Sequence, residues 1–322
     1  MKPIPLSSGS NTSWALPLAK QNKWILIDAG AEIDNPKPSY SWDLMQTALL
    51  NENITPKDIE FVLITHEHID HAGLAYKWAA NGTTILAHPF AQSKLIQGNA
   101  AHVADRIRRI EYLRKNGLPD SIAENLQKSS AVPAMRWQSC PASAIATVSH
   151  LDEIDLAENK KLTVISAPGH TRGNLVALIK EDSALFSGDT LLEKTIPTSG
   201  LHFVEDEMKK SDSFVSNYSH WPSLPAFIHS VNEIQKEQIS TIYPGHGPQI
   251  DNPTHVFQRF LKHHEKRGHR INLFLENNKD YNPYMIAKLM FPRVSNQQIV
   301  QAMIEIIGHL DLREISEDMK AV

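Results

Sequence analysis

Within six residues, His66-Glu67-His68-Ile69-Asp70-His71, this chain gathers three imidazoles and the Asp70 carboxylate, just after the apolar run Phe61-Val62-Leu63-Ile64. A short apolar run reads as a buried strand, so the polar cluster belongs at a strand end, where a fold can collect side chains from several strands. Alternate residues of an extended chain point the same way, which aims His66 and His68 at one ion. Asp70 and His71, where the chain turns, can reach a second. A two-metal site is therefore the first expectation.

Composition narrows what such a site can be. The chain has 322 residues, more than an ordinary single domain, which suggests one large domain with a smaller appendage. With 41% hydrophobic and 21% charged residues it reads as globular and soluble, and no run has the length of a membrane span. The opening segment from Met1 to Gly9 lacks the apolar stretch of a secretory signal, so a cytoplasmic location is expected. Cys140, the single cysteine, excludes an intrachain disulfide and a multi-cysteine zinc site, and its expected role is buried packing. Any metal must be held by His and Asp. A net charge of −4 gives no global attraction to nucleic acid or anionic membranes, and with sixteen histidines only position can select ligands.

Strand signals run over 24–28, 61–65 and 83–87, with helices over 42–51 and about 73–80 between them, an alternation of α and β. From about 92 to 149 the strand signal fades, and Ile107, Ile110 and Leu113 among arginines predict a helical insertion broken at Gly117 and Pro119. Apolar strands return at 162–166, 175–180, 184–187 and 241–243. After Pro253 the pattern turns helical, over 254–276, 283–290 and 296–312. The expected division is 1–253 for the site-bearing domain and 254–322 for a C-terminal helical domain.

Three more polar residues stand just beyond apolar strands, each preceded by a glycine that permits a tight turn: Gly169-His170, Gly188-Asp189 and Gly245-His246. A lone strand-end His or Asp is usually a hydrogen-bonded loop residue. Together with the six-residue motif they make five imidazoles and two carboxylates, a set that suits zinc, with iron, manganese or cobalt as alternatives.

In this order, Asp28, the His66-to-His71 motif, His170, Asp189 and His246 resemble the five motifs of the metallo-β-lactamase superfamily, over roughly residues 4 to 250. The resemblance implies an α+β fold, a four-layer αββα sandwich with the site at one edge. It also implies that His66, His68 and His170 hold one metal, that Asp70, His71 and His246 hold the other, and that Asp189 bridges them. Asp28 is expected to support the metal loop by hydrogen bonds, and His88 to be structural or at the rim. His68 stands where the di-iron oxygen-reducing branch has Glu, and Asp189 where thiolate-using β-lactamases have Cys. The set is similar to that of glyoxalase II and related hydrolases. Residues 254–322 resemble the helical, winged-helix-like tail of the β-lactamase-like protein 2 group.

Two divalent ions lower the pKa of a shared water from about 15.7 toward neutrality and polarise the bond under attack. Asp70 is the expected catalytic proton acceptor. The expected enzyme is a dinuclear metal hydrolase that uses a bridging hydroxide to cleave a small carbonyl ester, thioester or lactone. A phosphodiesterase or endoribonuclease, a mononuclear iron dioxygenase acting on sulfur, and a non-enzymatic metal protein are the alternatives. Residues 255–270 carry five Lys/Arg against one Glu, and 102–115 five against two acids, so an anionic small-molecule substrate is an option. No aromatic platform for RNA lies nearby, which lowers the nucleic-acid reading. His202, Phe203 and Tyr243 are candidate pocket residues, on the long connection after Asp189 and beside His246.

Overall fold

Two six-stranded mixed sheets pack face to face. The first contains β1 (Ile4–Ser8), β2 (Asn11–Pro17), β3 (Trp24–Ile27), β4 (Ile59–Leu63), β5 (Thr84–Ala87) and β6 (Ile145–Thr147), hydrogen-bonded in that order. The second contains β7 (Glu153–Leu156), β8 (Lys160–Ser166), β9 (Leu175–Ile179), β10 (Ala184–Gly188), β11 (Thr241–Pro244) and β12 (Ile250–Asp251), also in sequence order. The computed structural model describes residues 2–8, 11–32, 41–128, 137–203 and 219–321, with side chains as far as Ile315.

Alternation along each strand assigns the layers. In β3, Ile25 and Ile27 face the second sheet, in a core with Trp14, Leu63, Leu175, Ala177 and Phe186. Leu26 faces the other way, into a core with Met45 and Leu49 of α1 (Trp42–Asn51), Trp78 of α3 (Ala75–Ala80) and Leu95 of α4 (Pro89–Gln97). In β9, Val176 and Leu178 pack outward on Phe227 and Val231 of α7 (Ser223–Ile234) and on Phe257 and Phe260 of α8 (Thr254–Asn277). The order of layers is αββα. Strands β9 and β10 are buried along their whole length, which is why they read as unbroken apolar runs.

A further core joins the insertion to the C-terminal region. Ile110 and Leu113 of α5 (Asn99–Lys115) and Leu126 of α6 (Asp120–Lys128) share it with Ile271 of α8. Ile286 of α9 (Pro283–Met290) and Met303 and Ile306 of α10 (Gln298–Ala321) complete it. No helix among the described residues is long and apolar enough to cross a membrane.

Topology brings the polar strand ends together. Strands β10 and β11 are parallel, and β8 runs in the same direction because two antiparallel steps through β9 restore it. Their C-terminal ends, which lead to His170, Asp189 and His246, therefore share one edge. Strands β3 and β4 are likewise parallel and lead to Asp28 and to the six-residue motif. The two edges are clamped together: Trp14 Nε1 donates to the Pro244 carbonyl (3.0 Å), and Thr12 N donates to the Gly245 carbonyl (2.9 Å).

Candidate metal centre

The six-residue motif is not strand. β4 ends at Leu63, and α2 (Ile69–Ala72) already begins at Ile69, with His68 at its N-cap. Strand pairing stops because Asp28 takes the backbone that would continue it: Thr65 N donates to Asp28 Oδ1 (2.8 Å) and Thr65 Oγ1 to Asp28 Oδ2 (3.0 Å). The segment from His66 to His68 nevertheless keeps the alternation of an extended chain. His66 and His68 meet, with His66 Nε2 and His68 Nδ1 3.0 Å apart, while Glu67 turns away and accepts from Thr171 Oγ1 (2.7 Å).

All seven expected donors converge. His66, His68 and His170 form one group, Asp70, His71 and His246 another, and His66, His71 and Asp189 a third, with the donor atoms of each group within 4.8 Å of one another. Asp189 lies between the two sides. Its Oδ2 is 3.6 Å from His170 Nε2 and 3.6 Å from His246 Nε2, and its Oδ1 is 3.4 Å from His71 Nε2. His66 and His71 are fully buried, and His68 is on the exposed side of the cluster.

Hydrogen bonds outside the cluster decide which imidazole nitrogens face inward as lone pairs. A carbonyl can only accept, so the 2.8 Å contact of His170 Nδ1 with Thr198 O places the proton on Nδ1 and leaves Nε2 bare. His71 Nδ1 donates to Asp28 Oδ2 at 2.7 Å, which directs Nε2 inward. Thr65 Oγ1, already a donor to Asp28, accepts from His66 Nδ1 (3.0 Å), so His66 Nε2 is bare as well. Bare nitrogens and carboxylate oxygens thus face one another at short range.

The electrostatics favour a cation that is not a proton on His66. Burial, with His71 and His68 beside it, holds the His66 imidazole well below its usual range. Around His71 the balance reverses, because the Asp189 and Asp28 carboxylates outweigh burial and hold that imidazole well above its usual range. Burial opposes ionisation of Asp189 and Asp70, yet both are held below the usual carboxylate range, Asp189 by His71 and Asp70 chiefly by the hydrogen bond from His246. Asp189 Oδ1 is buried and makes no hydrogen bond among the described residues. Five imidazoles, two ionised carboxylates and an orphaned carboxylate oxygen at their centre fit divalent metal ions.

The preceding glycines are required sterically. A Cβ on Gly245 would stand 2.5 Å from His71 Cε1, and one on Gly169 would stand 2.2 Å from Phe227 Cβ, at a φ of +150°. Both distances are closer than side-chain carbons approach.

A fourth convergence, His263, His264 and Glu305, lies between α8 and α10. There Arg267 donates to Glu305 Oε1 at 2.9 Å, so the carboxylate already has a cation and the group is a buried charge network.

The family model of the metallo-beta-lactamase superfamily matches residues 10–246 of this chain. The chain belongs to the metallo-beta-lactamase superfamily. Within that superfamily it is similar to the probable metallo-hydrolase YqjP of Bacillus subtilis, 24% identical over 302 residues, which are 93% of this chain and 87% of that protein. It is also similar to human acyl-coenzyme A thioesterase MBLAC2, 24% identical across 53% of this chain and 56% of that one. A metallo-beta-lactamase family protein of Thermus thermophilus, TTHA1429, has the same fold, with a TM-score of 0.71, 20% identity and coverage of 98% of this chain and 93% of that one.

Residues that sequence reasoning did not single out also shape the site. Asn11 Nδ2 donates to the Asp70 carbonyl (2.8 Å), Lys94 lies 3.6 Å from buried Glu67, and the Thr198 carbonyl orients His170. Glu67 carried a usable signal, an acid between two candidate ligands. Asn11 and Thr198 carried none, since both contacts are set by tertiary packing. Of the pocket candidates, His202 lines the cavity beside the centre, whereas Tyr243 stacks on Phe186 in the sandwich and Phe203 packs on Tyr112. His88 caps α4, its Nδ1 accepting from Phe90 N (3.2 Å). Cys140 is buried, and burial pushes its thiol up to about 11, as suits a packing residue.

Proposed function

We propose that this chain is a dinuclear metal-dependent hydrolase that cleaves a small carbonyl ester, with thioesters and lactones as the leading substrates. The observation that carries the reading is the position of Asp189, whose two oxygens reach toward both groups of imidazoles while Oδ1 lacks a hydrogen bond among the described residues. In this reading His66, His68 and His170 hold one ion, Asp70, His71 and His246 hold the second, and Asp189 spans both. Zinc is the proposed ion, since the donors are nitrogen and oxygen only. When bound, such ions supply Lewis acidity and a nucleophilic hydroxide near neutral pH.

The protein's own groups do the rest. Asp28, Thr65 and Thr198 fix ring orientation by holding the outer nitrogens of His71, His66 and His170. Asp70 stays ionised at the open side of the cluster and can take a proton from the attacking water and pass it to the leaving group. The relative named as a probable metallo-hydrolase supports hydrolysis, and the one named as an acyl-coenzyme A thioesterase supports a thioester substrate. Residues 254–322 serve, in this proposal, as a C-terminal helical unit that helps wall the substrate cavity, to which Gln297 and Val300 contribute. A cytoplasmic setting goes with the reading.

The test is a panel of thioesters, lactones, phosphodiesters and RNA offered to metal-loaded protein, with Asp189→Ala as the blank. Ester or thioester turnover absent from the blank, with two metal equivalents in the active protein, is the expected result. Turnover confined to phosphodiesters or RNA, or full activity in metal-free protein, contradicts it.

A further inference from the structure

We propose that the cavity beside the metal centre holds an anion-recognition subsite built on Arg109, for a carboxylate or phosphate on the same small molecule as the scissile ester. The ester to be cleaved rests on the ester-hydrolase reading, and the anion on the cavity alone.

One cavity of about 530 Å³ is lined by His68 and Asp70 of the metal centre and also by Arg109 of α5. That volume suits a small molecule. Apolar Ile110, Leu126, Trp137 and Val300 share the wall with the charged side chains of Glu67, Lys94, Asp105 and Arg106.

The nearby cations differ in what they already hold. Lys94 pairs with Asp105 (2.7 Å) and faces Glu67 (3.6 Å). Arg106 donates to the Leu126 carbonyl (2.5 Å), and Arg108 lies over the Phe203 ring, 4.6 Å from its centroid. Arg109 is half-buried, its Nε is wholly buried, and that nitrogen has no hydrogen-bond partner among the described residues. Asp105 is the acid that acts on it most, and Asp105 is already bonded to Lys94.

A guanidinium cannot shed its proton to escape a poor environment, so an unmatched one on a cavity wall costs stability unless a ligand completes it. Its planar fork matches the paired oxygens of a carboxylate or phosphate. The same cavity reaches the residues proposed to carry the chemistry, so an anion held by Arg109 would orient the rest of the molecule toward them.

The experiment compares metal-loaded wild type with Arg109→Gln on two matched pairs. The first is a glutaryl p-nitrophenyl ester against its methyl-capped counterpart, which carries the anion on the acyl side. The second is S-acetyl phosphopantetheine against S-acetyl pantetheine, which carries it on the leaving side. Wild type is expected to prefer the charged member of one pair, and Arg109→Gln to reduce that kcat/KM preference at least tenfold, chiefly through KM. The pair that responds identifies where the anion sits. Arg109→Lys keeps the charge without the fork and is expected to lose roughly tenfold in preference, which decides the matter if the Gln variant does not fold.

Calorimetric titration with glutarate and with inorganic phosphate tests the subsite without turnover. Binding of either that weakens at least tenfold in the variants supports it, even if no ester is cleaved and the hydrolase reading fails. No charge preference together with no binding, or preference and binding unchanged in both variants, overturns the proposal.

Discussion

Asp28 accepts a 2.7 Å hydrogen bond from His71 Nδ1 with both side chains buried, and the same carboxylate binds Thr65 through its backbone N and its Oγ1. One residue thus ends strand β4 and aims an imidazole of the next helix into the cluster. It does so from a left-handed backbone, φ +67°, a region that Asn also tolerates.

Asp28→Asn is therefore expected to keep the fold and lose the charge that orients His71. Metal affinity should fall about 10–100-fold, read by competition with a chromophoric chelator. Unchanged affinity would show that His71 is held by packing alone.

Gly245→Ala tests the close approach at the second group. The added methyl meets His71 Cε1 at 2.5 Å, and the loop cannot retreat freely because Thr12 N holds the Gly245 carbonyl. Turnover and metal content should both drop at least tenfold, while Gly247→Ala, which meets nothing within 4 Å, is a backbone control at φ +82°. Equal effects of the two substitutions would remove the steric explanation.

Metal removal should destabilise the protein. Without ions the bare inward nitrogens of His66 and His170 have no cation to share. Zinc at a hundred times its Kd is expected to add about 2.7 kcal/mol of stability, measured by denaturant titration with and without chelator. Asp189→Ala should reduce that increment, and an equal increment in the variant would mean that Asp189 is not a ligand.

The network between α8 and α10 sets an acid limit. His264 is buried against Glu305 and His309 of α10, beside His263 and Arg267 of its own helix. Burial pushes its imidazole down to about 3 despite the pull of Glu305. The folded state therefore holds it neutral, while the unfolded chain takes up a proton below about 6.5, so its contribution is present above that pH and is lost as pH falls toward 3. Glu305 adds a loss of the same sign at lower pH: burial opposes its ionisation, but His263, His309 and Arg267 hold its carboxyl below the usual range. In chelator, His264 should contribute about 2 kcal/mol of the stability lost between pH 7 and pH 5, alongside the buried His66 of the metal centre, which is also held neutral, and His264→Gln should reduce the slope by that share. A slope unchanged in the variant would assign the acid sensitivity elsewhere.

Much of the fold was legible because its signals are local. Helix α9 occupies 283–290 as the periodicity predicts, helped by Asn282 at its N-cap, whose side chain accepts from Met285 N. Strands β8 to β11 fall on the apolar runs. The edge strands β1, β7 and β12, and β2 beside the first of them, were not legible, since their regularity comes from partners supplied by the sheets. β6 was hidden for the same reason, as a three-residue strand at the end of the helical insertion.

The donors themselves belong to the sequence: their chemical types, their place after apolar runs and the glycines before three of them follow from residue identity and short-range pattern. Tertiary structure alone decided that His66 and His170, 104 positions apart in the chain, meet His68 from two sides at 3.0 Å. It also decided that Asp28 captures the Thr65 backbone N, and that Arg109 lines a cavity with its Nε lacking a hydrogen bond among the described residues. The physical reason is range. Side-chain periodicity encodes which face is buried, whereas the register between two sheets and the packing of α5 against the C-terminal helices are settled only when non-local surfaces close on one another.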